Sequence, residues 1–157
     1  MYIHMNNYLS TVAVDPTSQL FCLNANLRKA SRMILSVYMD KMRDSGLQGT
    51  QFTLLSTISG FGQVKVGDLA QFMGMDQTTV TRNINLLKKD GYVQAIPGED
   101  KRTRIIQLTE KGMKAVSEIH PKWLEAQTQV WNELGHEKST QLLGLLQQVI
   151  EIAESRE

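Results

Sequence analysis

Apolar positions recur at intervals of three and four along most of the chain, which is the period of helices packed by one face. Residues 1–14 carry no clear period and read as an N-terminal arm or a short added helix. Asp15 then has the character of an N-cap, with Pro16 at the first helical position. Leu20, Leu23, Leu27, Ala30, Ile34, Val37 or Tyr38, and Met42 step along one long helix, which Gly46 closes. Thr50 caps a second helix in which Phe52, Leu55 and Ile58 share a side, and Gly60-Phe61-Gly62 ends it. A short third helix, Val66 to Met73, turns Leu69, Ala70 and Met73 inward. Gly74 supplies the corner, because it adopts the left-handed conformation a tight turn needs. Val80, Ile84 and Leu87 then mark the inner face of a fourth helix, which stops at Gly91.

After Gly91 the period shortens. Tyr92 to Ile96 and Ile105 to Leu108 read as two strands joined by a charged turn, a hairpin with its tip in solvent. Thr109 caps a further helix with Glu110 in its first turn, followed by Val116, Ile119, Trp123, Leu124, Val130 and Leu134; Pro121 kinks this helix or divides it in two. The last helix runs from about Glu137 to Glu154. Its Leu142, Leu143, Leu145, Leu146, Val149, Ile150 and Ile152 form an apolar set too wide for one core-facing stripe. Surplus apolar surface of this kind points to burial against a second copy of the chain, a homodimer.

The fold class that follows is mainly α with a small β-hairpin wing, an α+β winged helix-turn-helix. The winged lobe spans residues 47–108 of a single domain over 15–157, and the terminal helices, 15–46 and 109–157, form a dimerisation lobe.

The fourth helix opens on Gly-Met-Asp-Gln-Thr-Thr-Val-Thr-Arg-Asn, residues 74–83. Three threonines in four positions weaken a helix start, since β-branched side chains lose rotamer freedom there. A DNA-recognition helix accounts for them, because its first residues are chosen for what they offer bases and phosphates. The hydroxyls of Thr78, Thr79 and Thr81 hydrogen-bond with either, Gln77 pairs with adenine, and Arg82 reaches guanine or phosphate. Asp76 is the natural N-cap of this edge.

Composition narrows the alternatives. The chain has 157 residues, 41% of them hydrophobic and only 3 of them proline, enough for a core without disulfides or metal. A formal net charge of +1 leaves no room for binding nucleic acid by bulk charge, so a local patch must do it. From Gln77 to Arg104 the bases Arg82, Lys88, Lys89, Lys101, Arg102 and Arg104 face the acids Asp90, Glu99 and Asp100; from Glu110 onward five bases face eight glutamates. The single cysteine, Cys22, excludes an intrachain disulfide, and no Cys/His spacing suits a metal. No signal-peptide pattern and no apolar run of roughly 18 to 20 residues is present, so a cytoplasmic protein with no membrane segment and no cofactor is expected. An enzyme lacks support, because neither Cys22 nor any serine lies in a nucleophile elbow and no phosphate loop occurs.

Leu69-Ala-Gln-Phe-Met-Gly-Met-Asp-Gln-Thr-Thr-Val-Thr-Arg-Asn-Ile-Asn-Leu-Leu-Lys-Lys-Asp-Gly-Tyr-Val93, followed by Asp100-Lys-Arg-Thr-Arg-Ile-Ile-Gln-Leu-Thr-Glu-Lys-Gly112, resembles the MarR family of bacterial transcriptional regulators. The likeness runs from about Leu20 to Ile150, and the Asp-x-Arg of the wing with Leu-Thr-x-x-Gly is its most specific part. The resemblance implies a two-fold dimer whose winged lobes straddle a pseudo-palindromic operator in double-stranded DNA. It implies Arg102 in the minor groove with Asp100 orienting it, and Gln77, Thr78, Thr79, Thr81 and Arg82 toward the major groove; the local charge count adds Lys88, Lys101 and Arg104 as candidates of the same basic patch. A lone arginine suits a narrow, strongly negative minor groove. Thr50 and Gln51, at a helix N-terminus, are candidates to hold phosphate. The resemblance further implies a repressor that a small molecule or an oxidant releases.

Two more features bear on release. Cys22 lies near the start of the first helix, where a thiolate gains stability, and is a candidate redox sensor; a small buried residue is its commoner role. Met39, Phe52, His120 and Trp123 are candidate walls of an effector pocket, although Met and Trp at helical spacing more often belong to a core or an interface. A winged helix used only as a protein interaction module is the rival reading, as is, more remotely, a thiol enzyme at Cys22. The module has no need of Lys101, Arg102 and Arg104 beside a threonine-rich helix start.

Overall fold

The computed structural model describes residues 15–98 and 104–155. The chain divides into two compact units, one ending at Val37 and the other starting at Tyr38.

In the first unit, the described part opens differently from expectation. The Asp15 carboxylate accepts hydrogen bonds from the Thr17 backbone N–H at 2.9 Å and from the Thr17 hydroxyl at 2.7 Å. These bonds close a local turn that competes with helix. Ser18 then caps a 3-10 turn, Gln19–Phe21, and α1 begins only at Leu23 and runs to Met42 (Leu23–Met42). The expected helix start at Pro16 is therefore corrected to Leu23. Cys22 immediately precedes α1, its carbonyl accepting from the Asn26 N–H and side-chain amide.

The second unit begins at Tyr38, within α1, and holds the remaining elements. Gly46, at φ 69°, ends the 3-10 turn Arg43–Ser45. Helix α2 is Gly49–Phe61, and its N-cap is Gln48 rather than Thr50: Gln48 and Gln51 exchange side-chain bonds to each other's backbone N–H in a capping box. Strand β1 (Gln63–Lys65) follows, then α3 (Val66–Phe72), α4 (Gln77–Lys89), β2 (Val93–Pro97) and β3 (Arg104–Leu108). The sheet is antiparallel with order β1-β3-β2, pairing Val64 with Ile106 and Ala95 with Ile106. Two strands were expected; β1 is a third, only three residues long with one buried side chain, Val64.

Helix α5 (Glu110–Leu134) continues unbroken through Pro121, against the alternative of two helices. Pro121 removes the bond to the Ser117 carbonyl. Both residues are exposed, so water can satisfy that carbonyl. Helix α6 is His136–Glu154.

Leu54, Leu55 and Ile58 of α2, Leu69 of α3, and Val80 and Leu87 of α4 are fully buried, with Val64, Val93, Ile106 and Ile119 closing around them. Each such side chain contributes roughly 1.5–3 kcal/mol by leaving water. That core fixes α4 by one face and leaves the other bare. In α6, by contrast, Ser139 is the one buried residue among those described, and Leu142, Leu143, Leu145, Val149, Ile150 and Ile152 are 38–59% exposed.

Candidate nucleic-acid interface

Helices α3 and α4 meet through Gly74, whose φ of +58° confirms the left-handed corner. The Met75 N–H bonds the Ala70 carbonyl at 3.0 Å, tying the turn to α3. Asp76 caps α4: one carboxylate oxygen accepts the Thr79 backbone N–H at 2.7 Å and the other accepts the Thr79 hydroxyl at 2.5 Å. These bonds, the hydroxyl's first, hold the Asp76 carboxyl below the usual aspartate range. The anion also suits the positive end of the helix dipole.

The cap sorts the three threonines. The Thr79 hydroxyl proton is committed to Asp76. The Thr81 hydroxyl donates to the Gln77 carbonyl at 2.7 Å, a bond back along the helix. Thr78 alone has no side-chain partner among the described residues, and the same holds for Gln77 and Arg82. All three are exposed. The equal roles expected of the three hydroxyls thus divide into one free group and two whose protons are engaged.

Gln77, Thr78, Thr81 and Arg82 line one open hollow together with Asn85, Leu86 and Lys89. Asn85 is not among the residues the sequence points to, and Lys89 enters there only in the charge count. Their signal was spacing: Thr78, Arg82, Asn85 and Lys89 follow at four, three and four, the face opposite Val80, Ile84 and Leu87. Lys88 is exposed on α4 but does not line this hollow.

The far end of α4 is held from α5. Lys111 Nζ donates to the Asp90 carbonyl at 2.7 Å and lies 4.5 Å from the Tyr92 ring centroid. A cation there complements the negative helix end. Thr109 caps α5 by accepting the Gly112 N–H at 3.1 Å, while its hydroxyl donates to the Gly91 carbonyl at 2.6 Å. The Leu-Thr-x-x-Gly signature is therefore a clamp from α5 onto the end of α4.

Arg104 opens β3 opposite Pro97 and is exposed, at the turn end of the hairpin. Asp100, Lys101 and Arg102 lie outside the described residues. Thr50 is exposed in the first turn of α2, where its backbone N–H has no helical partner; the Gln51 side-chain oxygen is taken up by the Gln48 N–H at 3.0 Å.

The candidate pocket residues other than His120 lie in or against the core. Phe52 is in the core, and Met39 and Trp123 pack against it. His120 is exposed, its ring centroid 5.6 Å from that of Trp123. Tyr38 donates to Gln127 beside them, and burial pushes its phenol pKa up. Cys22 is exposed rather than a small buried residue. Among the described residues, no group of three His, Cys, Asp or Glu could hold a metal, and no helix is long and apolar enough to cross a membrane.

A sequence model of the MarR family matches residues 45–103. The transcriptional regulator MosR of M. tuberculosis, solved in complex with DNA, is 32% identical, with 84% of this chain and 98% of that chain covered and a TM-score of 0.73. The HTH-type transcriptional regulator YwoH of Bacillus subtilis is 28% identical over 63% of this chain and 72% of its own length. A cysteine-to-serine mutant of E. coli MarR complexed with operator DNA shares the fold at a TM-score of 0.76, covering 87% of this chain and 99% of that one at 19% identity.

Proposed function

From the premise that the chain belongs to the MarR family and is a DNA-binding transcriptional regulator, we propose that it acts as a homodimeric repressor on a pseudo-palindromic operator. The observation that carries this reading is the bare face of α4: Gln77, Thr78 and Arg82 are exposed and without side-chain partners among the described residues, on a helix start rigidly capped by Asp76. Unengaged donors and acceptors on a fixed helix face suit base edges in the major groove. Thr79 and Thr81 border that face with their hydroxyl protons held within α4 and its cap, and Thr50, Gln51, Lys88 and Arg104 serve phosphates. Arg102, oriented by Asp100 and flanked by Lys101, enters the minor groove, as the family resemblance implies.

The exposed apolar face of α6 supports the homodimer, since side chains of this size are ordinarily covered. Two symmetric lobes then read two half-sites. A small molecule or an oxidant releases the operator, and exposed Cys22 is the thiol an oxidant would meet.

Selection of bound sequences from a random double-stranded DNA library tests the reading. The expected product is an inverted repeat whose half-site centres lie about 34–36 Å apart or a multiple of that. Affinity for it falls steeply as salt rises. Enrichment of no sequence, or binding indifferent to salt, sinks the proposal and favours an interaction module.

A further inference from the structure

The polar side chains of α4 are not equally available. Asn83 donates to the Thr79 carbonyl at 2.9 Å, and the hydroxyl protons of Thr79 and Thr81 are engaged as described. Asn85, two residues beyond Asn83, makes no side-chain bond among the described residues. It is exposed and lines the same hollow as Gln77, Thr78 and Arg82. Asn85 is one turn beyond Arg82 and two beyond Thr78, on the face opposite the buried Val80, Ile84 and Leu87.

We infer that Asn85 is a base-reading residue of α4, hydrogen-bonding an adenine through its side-chain amide, and that Thr79 and Thr81 hold the helix rather than donate to bases. The inference rests on the reading of α4 as the recognition helix and names which of its side chains determine sequence. An asparagine amide presents one donor and one acceptor in a plane, matching adenine N7 and N6 in the major groove. It carries no charge, so it adds little to phosphate attraction and its effect is confined to sequence. A threonine whose proton is already spent offers only a lone pair, which discriminates less. Four residues of one helix face, Gln77, Thr78, Arg82 and Asn85, thus suffice for a half-site. The three or four base-contacting side chains of other helix-turn-helix proteins are the same in number.

The test is parallel library selection with the full-length wild-type protein, Asn85→Ala and Lys89→Ala. Alanine is tolerated at exposed helix positions, so both variants keep the fold. For Asn85→Ala the expected result is loss of preference at one position in each half-site, with discrimination there falling by about 5-fold or more and the salt slope unchanged. Lys89→Ala keeps the wild-type motif, weakens binding to all sequences alike and lowers the salt slope. An unchanged motif in Asn85→Ala overturns the inference, whether its affinity is normal or uniformly reduced. Failure of the wild-type protein itself to select any motif overturns the underlying reading of α4, and is distinct from both.

Discussion

A Cβ built on Gly112 would lie 2.1 Å from the Tyr92 carbonyl oxygen. Only a glycine lets the first turn of α5 come down onto the chain where it leaves α4. The Thr109 N–H donates to that same carbonyl at 3.0 Å, so the oxygen cannot move aside without breaking the bond. Gly112→Ala must push backbone against backbone, and the expected loss is about 1–3 kcal/mol, the range for overpacking a filled site. Urea unfolding measures it; a midpoint equal to that of the wild type would show that the contact yields freely.

Asp76 and Thr79 form a second pair whose role is testable by pH. The Asp76 carboxyl sits below its unfolded-state pKa, so its stabilising effect is complete above the unfolded value of about 3.9 and is lost as pH falls through the lower folded value. Asp76→Ala is expected to lower the melting temperature at pH 7 and to converge with the wild type in strong acid. Thr79→Val, which removes the hydroxyl donor, lowers stability in the same window and leaves the selected DNA motif unchanged. A changed motif in Thr79→Val would return that hydroxyl to base reading.

The sequence made α4 legible because every local signal agreed. Val80, Ile84 and Leu87 recur on one face, Asp76 caps the start, and Gly74 and Gly91 bound it. The misplaced features depend on competition or on distance. Asp15-Pro16 resembles a helix start, but the Asp15 carboxylate finds Thr17 first. Gln48 displaces Thr50 as a cap only because Gln51 reciprocates, and glutamine is an uncommon cap by itself. Strand β1 has no periodic signal in three residues; its existence depends on β3, some forty residues later. The candidate interface was legible as a helix and a charge pattern. Which hydroxyls remain free required the hydrogen bonds themselves.

Lys111 joins two weak interactions at one place. Its ammonium donates to the Asp90 carbonyl at the end of α4 and rests over the Tyr92 ring. Each of these is worth about 0.5–1 kcal/mol at an exposed site. Lys111→Met keeps the stem and removes the charge, and is expected to destabilise the fold by roughly 1 kcal/mol, less at high salt. Operator affinity should fall only modestly, since the residue supports α4 from the end opposite the cap. A large loss of affinity at unchanged stability would place Lys111 on phosphate instead.

The proposed homodimer can be tested apart from DNA reading through α6. Leu145 is 59% exposed, amid Leu142, Leu143 and Val149 on a helix with few buried residues. Leu145→Asp leaves the fold of one chain undisturbed, because the position is open to solvent there. In a dimer that covers this face, it buries an unpaired carboxylate, which costs several kcal/mol, and the dimer dissociation constant should rise by roughly 100-fold or more. Light scattering coupled to size-exclusion chromatography reads the change as a shift from two chains to one. Gln147→Asp, which adds the same charge to an exposed polar position on the other side of the same helix, serves as the control and should remain dimeric. Operator affinity then separates two cases. With two half-sites bound by linked lobes, loss of the dimer removes the gain in effective concentration that the second lobe provides, and affinity falls steeply. A Leu145→Asp protein that stays dimeric would move the interface off α6, and a monomer that keeps full operator affinity would show that one lobe reads the site alone.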